Sequence, residues 1–105
     1  MSYRTRITYT RPSKDVDWYQ TTDSALTYRQ ETYIDTGKLM PSTGTHPPTT
    51  ESADGLTLVV ESEYDSRASL DEFLTDSTVL NDYVNPRTLY CAEHNITRTV
   101  LHDVG

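Results

Sequence analysis

The chain has 105 residues, 34% of them hydrophobic, with no break in composition, so one domain over residues 1–105 is expected, its thin core drawing on eight tyrosines beside a single Phe and a single Trp. Nine basic against sixteen acidic residues, a formal net charge of -7, exclude the positive field that draws phosphate backbones, so direct nucleic-acid binding is not expected. No apolar run suits a membrane span or a signal peptide, and the lone Cys91 cannot close an internal disulfide, which points to the cytoplasm and excludes membrane partners.

The first element is a strand over Tyr3–Thr10, where Tyr3, Thr5, Ile7 and Tyr9 alternate with Arg4, Arg6, Thr8 and Thr10. Pro12 ends it by removing a ladder donor. Asp15 to Gln20 reads equally as a helical turn or a structured loop. From Thr22 or Asp23 to Thr36 the signals are helical: an N-cap, a face shared by Leu26, Tyr33 and Ile34, and Gly37 where a left-handed C-cap is wanted. Thr and Tyr favour strands, however, so the conformation of Asp15 to Thr36 stays open.

Lys38 to Met40 opens a second strand, and Thr43 to Asp54, with Gly44, Pro47 and Pro48, reads as a long loop. Leu56 to Tyr64 is the strongest apolar strand, with Leu56, Leu58 and Val60 on one face and Thr57, Val59, Glu61 and Glu63 on the other. Ser69-Leu70-Asp71-Glu72 has the form of a capping box. It opens a helix with a buried stripe of Leu70, Phe73, Leu74, Leu80 and Val84, interrupted near Asp76-Ser77, where Ser77 caps a separate turn. Asn85-Pro86 stops this helix, and a last strand is expected from Arg87 to Val100, with Tyr90, Ala92, His94 and Ile96 opposite Cys91, Glu93, Asn95 and Thr97.

Strand, helix, strand, strand, helix, strand is the split βαβ arrangement. An α+β, ferredoxin-like β-α-β-β-α-β fold is therefore expected, a four-stranded sheet with two helices on one face and the first and third strands parallel at its centre. With Ile7, Tyr9, Leu58, Val60, Tyr90, Ala92 and Ile96 toward the helices, the reverse presents Arg4, Arg6, Glu61, Glu63 and Glu93. That polar face is either open to solvent or a charged dimer seam, and each exposed pair on it contributes about 0 to 1 kcal/mol.

In its element order, and over Leu56 to Val100, the chain resembles the dimeric α/β-barrel proteins, a group that includes cofactor-independent monooxygenases and stress-response barrels. Its Thr-, Tyr- and Asp-rich texture is also similar to that of small uncharacterised proteins of tailed bacteriophages. The first resemblance implies a homodimer and, for the oxygenases, a substrate cavity between sheet and helices, for which Trp18, Tyr28, Tyr33 and His94 are the residues to test. The second implies a viral protein in the host cytoplasm.

Reactive constellations are scarce. The glycines Gly37, Gly44, Gly55 and Gly105 are too scattered for a phosphate cradle. Cys91 and His94 fall on opposite faces of the expected strand and cannot converge on a metal, while His46 lies in the loop and His102 near the C-terminal end. No catalytic residue, cofactor or metal is assigned. The leading expectation is a noncatalytic binding or accessory protein acting through protein contact or self-association. A small-molecule oxygenase or isomerase of the dimeric-barrel type is the second. An acidic mimic of nucleic acid, with Asp65, Asp71, Glu72, Asp76 and Asp82 along one side, is the third.

Overall fold

The computed structural model describes residues 3–40 and 49–102. Along the chain come β1 (Tyr3–Thr10), α1 (Asp23–Arg29) running on into a π-helical turn (Gln30–Ile34), β2 (Thr49–Glu51), β3 (Thr57–Tyr64) and α2 (Arg67–Thr75). Then follow α3 (Ser77–Val79), a second π-helical turn (Leu80–Val84), α4 (Asn85–Glu93) and β4 (Thr97–His102). The strands form one sheet in the order β2-β3-β1-β4, and every pairing in it is antiparallel. This is the α+β, ferredoxin-like arrangement. The expectation that the first and third strands run parallel is corrected: the helical crossover leads from β1 to the outer strand β2, and a hairpin then returns β3 antiparallel between them.

Register explains which side chains face the helices. Ile7 lies opposite Val60 and Tyr9 opposite Leu58, so the odd positions of β1 and the even positions of β3 share a face. All the sheet residues in the two core clusters come from that face. The reverse face carries Arg4 opposite Glu63 and Arg6 opposite Glu61, as the alternation predicts.

The helix ends follow from local chemistry. Thr22 caps α1, its side chain accepting from the Ala25 amide. After the first π-helical turn, Gly37 at φ +81° lets its own amide reach the Ile34 carbonyl and the Lys38 amide reach the Tyr33 carbonyl. These two bonds are the paired closure of a left-handed helix end. The region left open between helix and strand is thus a loop followed by a helix from Asp23 on.

Three element boundaries depart from the sequence reading. The second helix begins at Ser66, whose extended backbone and Oγ serve the Ser69 amide; Ser69 is buried inside α2, with its hydroxyl donating to Asp65. Asp76, with ψ of 120°, breaks the helix and caps α3 through the Thr78 and Val79 amides, in place of Ser77. Finally, Asn85-Pro86 does not end the helix, so the expected two helices become α1, α2 and a run from α3 to α4. In the second π-helical turn the Asn85 amide reaches back to the Leu80 carbonyl, and Pro86 then sits in the first turn of α4, where a missing N–H is tolerated. Arg87 to Glu93 is therefore helix, not strand, and Tyr90, Ala92, Glu93 and His94 do not belong to the sheet. Asn95 at φ 57° closes α4, and the Ile96 amide bonds the Cys91 carbonyl, before β4 begins.

Where the second strand was expected to open there is an isolated bridge, Leu39 to Tyr64, with the Met40 amide donating to the Glu63 carbonyl at 2.8 Å. The strand β2 itself is Thr49–Glu51, within what the sequence suggested was loop. The rest of that loop through Pro48, His46 included, lies outside the described residues.

The core is split. One cluster packs Tyr33, Leu39, Tyr64, Leu70, Phe73 and Val79; the other packs Tyr9, Cys91 and Ile96 against Trp18, Leu58 and Tyr90 among others. Phe73 centres the first, with ring centroids 4.9 Å from Tyr33 and 5.9 Å from both Tyr64 and Tyr83, so edge-to-face and tilted ring contacts replace the aliphatic packing that the composition lacks.

Candidate functional site

Between the two clusters the helices and the sheet leave a half-open cavity of about 250 Å³. Its floor is the inward side of the sheet, and α1, α2 and the helical run from Tyr83 to Arg87 form its walls. The lining is mainly apolar and aromatic, yet it includes Arg29, Arg87 and Arg98. In a chain of net charge -7, three guanidinium groups around one apolar space form a local reversal of sign.

Their surroundings differ from those of the other arginines. Arg4 pairs with Glu63 at 3.1 Å, Arg6 with Glu61 at 3.4 Å, and Arg67 approaches Asp71 at 4.0 Å. Arg11 donates to the Gly55 and Val16 carbonyls and lies 4.4 Å from the Trp18 ring centroid, which ties down the loop after β1. Among the described residues, no carboxylate pairs with Arg29, Arg87 or Arg98. Arg87 instead donates to the Tyr9 hydroxyl at 3.1 Å and to Thr21 Oγ1 at 2.7 Å, with its guanidinium 4.5 Å from the Tyr83 ring centroid. Arg29 lies 6.0 Å from the centroid of that same ring. The Nε atoms of both Arg29 and Arg87 are buried with no hydrogen-bond partner among the described residues. A buried unsatisfied N–H costs about 1 to 3 kcal/mol, more where charged, which favours an acceptor arriving from outside the chain.

Arg98 stands on β4 opposite Tyr9, at the exposed side of the cavity. Burial pushes the Tyr64 hydroxyl pKa well above its ordinary value, so this cavity wall remains a neutral phenol at physiological pH. Burial likewise raises the Cys91 thiol, against an opposing pull from Arg87 and Arg98. That thiol is protonated at neutral pH and a poor nucleophile. The arrangement thus supplies hydrogen-bond donors, positive charge and apolar surface, the means to hold an oxyanion.

The residues proposed from sequence do not converge here. Trp18 lines a second, neighbouring cavity of about 200 Å³, beside Tyr19 and Cys91. Tyr28 and Tyr33 instead point their hydroxyls at Asp76, at 2.7 and 2.6 Å, and Tyr33 is fully buried. His94 is exposed at the end of α4, its ring 4.1 Å from that of Tyr90. Of the polar sheet face, Arg4, Arg6, Glu61 and Glu63 are in place, whereas Glu93 is exposed on α4. Of the five acids read as a possible stripe, Asp76 caps α3 and Asp65 accepts from the Ser66 and Ser69 hydroxyls, while Asp71, Glu72 and Asp82, like Asp65, are exposed.

Sequence reasoning missed the arginines. Arg87 was assigned to a strand, although Tyr83, Arg87, Tyr90 and Cys91 follow the spacing of one helical face. Nothing in the sequence marks Arg29 or Arg98, because their shared cavity depends on a crossover and a sheet register. Among the described residues, no three His, Cys, Asp or Glu side chains gather as a metal site, and no helix is long and apolar enough to cross a membrane.

No family model matches the chain, and no curated protein matches it. Among solved structures the chain is similar to Rv0793 from Mycobacterium tuberculosis, at 25% sequence identity over 94% of this chain and 92% of that one, with a TM-score of 0.43. Likeness at that score transfers no residue role and no activity; the fold assignment rests on the strand order and helix placement.

Proposed function

We propose that this domain binds a small amphipathic organic anion in the cavity between its sheet and helices. The observation that carries the reading is the set of guanidinium groups that find no carboxylate partner among the described residues, around a mainly apolar space, two of them with buried Nε atoms that find no acceptor there. Guanidinium groups suit carboxylates through paired, charge-assisted hydrogen bonds, and an apolar lining accepts the rest of such a ligand. This keeps the expectation of a binding protein but moves the binding from a protein surface to a small molecule. Calorimetric titration with 1-naphthoate and with its neutral alcohol analogue tests it. The acid should bind at least ten-fold more tightly than the alcohol, and Arg29→Met should remove about ten-fold of that affinity, near 1.4 kcal/mol. Equal binding of acid and alcohol, or no binding of the acid, would refute it.

A second reading is self-association through the open face of the sheet. What supports it is Leu101, 51% exposed on β4, on the same face as the half-buried Val59 and the threonine rows of β1 and β4. Because Arg4–Glu63 and Arg6–Glu61 close within one chain, such a contact would rest on apolar and threonine surface instead of on charges crossing between copies.

A further inference from the structure

The two cavities share four wall residues, Tyr9, Val60, Tyr83 and Arg87. On the far side of that wall lies a space lined by Trp18, Tyr19, Leu58, Cys91 and Ile96. Small-molecule sites usually occupy about 300 to 1,000 Å³. At about 200 and 250 Å³, each cavity alone falls short of that range, and the two joined fall within it.

The part of the shared wall best able to move is the Arg87 side chain. Two neutral hydroxyls, those of Tyr9 and Thr21, hold its guanidinium, and its Nε has no acceptor among the described residues. Neutral hydroxyl partners hold a guanidinium less strongly than a carboxylate would, so an incoming anion can compete for it. Tyr83 and Tyr19, with centroids 4.5 and 5.4 Å from the guanidinium carbon, offer it aromatic surface within reach as it shifts.

Building on the proposed anion cavity, we infer that the two cavities are lobes of one site divided by Arg87, and that the ligand class is an aryl-alkyl acid. Its aromatic ring occupies the lobe of Trp18 and Tyr19. Its carboxylate lies beyond Arg87, among Arg87, Arg29 and Arg98. The assignment of ends follows from the linings: indole and phenol rings surround the first lobe, whereas Arg29 and Arg98 border only the second.

Trp18 is the single tryptophan of the chain, so its emission reports occupancy of the aromatic lobe specifically. The full chain is titrated with 4-(1-naphthyl)butyrate and with 1-naphthoate, following heat and Trp18 emission together. The longer acid should quench Trp18 and bind at least ten-fold more tightly than 1-naphthoate. Tyr19→Ala, a change in the loop before α1, should weaken the longer acid about ten-fold and leave 1-naphthoate unchanged. If both acids bind and lose affinity in Arg29→Met, yet Trp18 emission stays constant, or if Tyr19→Ala weakens both acids equally, the joined site is overturned and the anion cavity stands. If neither acid binds, both readings fall.

Discussion

At the scale of single residues, Asp76 does the most. One carboxylate oxygen caps α3 through the Thr78 and Val79 amides, and the other accepts from the hydroxyls of Tyr28 and Tyr33. Burial alone would raise its pKa, but the hydroxyls of Tyr33 and Tyr28 and the two amides outweigh it and hold the carboxyl below the ordinary value. The unfolded chain therefore binds the proton first as pH falls. The stabilisation is complete above the unfolded carboxyl value of about 3.9 and is lost as pH drops through the lower folded one. Asp76→Asn keeps a capable cap but loses the charged acceptor, so it should destabilise the domain by roughly 1 to 2 kcal/mol at pH 7 in urea denaturation. The gap to the wild type should narrow as the solution approaches pH 3, and a gap independent of pH would show that the charge is not what matters. The sequence marked a helix break near this residue. It could not show that tyrosines 43 and 48 positions earlier would converge on it, because that depends on how α1 packs against α3.

At the scale of elements, two helix ends use the left-handed backbone with different residues, Gly37 after the first π-helical turn and Asn95 after α4. A Cβ at Gly37 would touch nothing within 4 Å, so the cost of Gly37→Ala is one of backbone conformation, roughly 1 kcal/mol. Asn95→Gly should be within a few tenths of a kcal/mol of the wild type, since asparagine already tolerates this region. Chemical denaturation of the two variants side by side checks the contrast, and an equal loss in both would contradict it. Legibility also divided along these lines. Gly37 was readable as a cap because glycine has few other reasons to stand there. Asn95 was not, because Asn85-Pro86 looked like a stop, and an apparent alternation from Tyr90 to Thr97 then imitated a strand. The π-helical turn over Leu80–Val84 is what reconciles proline with a continuing helix, and no residue pattern announces such a turn.

At the scale of the whole molecule, the strand alternation in β1 and β3 was strong enough to place the helices on the correct face and to put Arg4, Arg6, Glu61 and Glu63 together on the reverse, while which arginine meets which glutamate depends on the register. The cavity stayed invisible, because it forms where two clusters fail to meet, and patterning along the chain records only what each element buries. If copies associate through the open face, light scattering should give a dimer mass that changes little between low and high salt, since the ion pairs close within each chain. Leu101→Asp should then yield monomers that still bind the naphthyl acids. A dimer that dissociates in salt, or one indifferent to Leu101→Asp, would place the contact elsewhere. The divided core has a mechanical corollary as well. Unfolding eliminates internal voids, so a domain with unfilled space between its packed halves loses more volume than a solid one of equal length, and hydrostatic compression disfavours its native form correspondingly more.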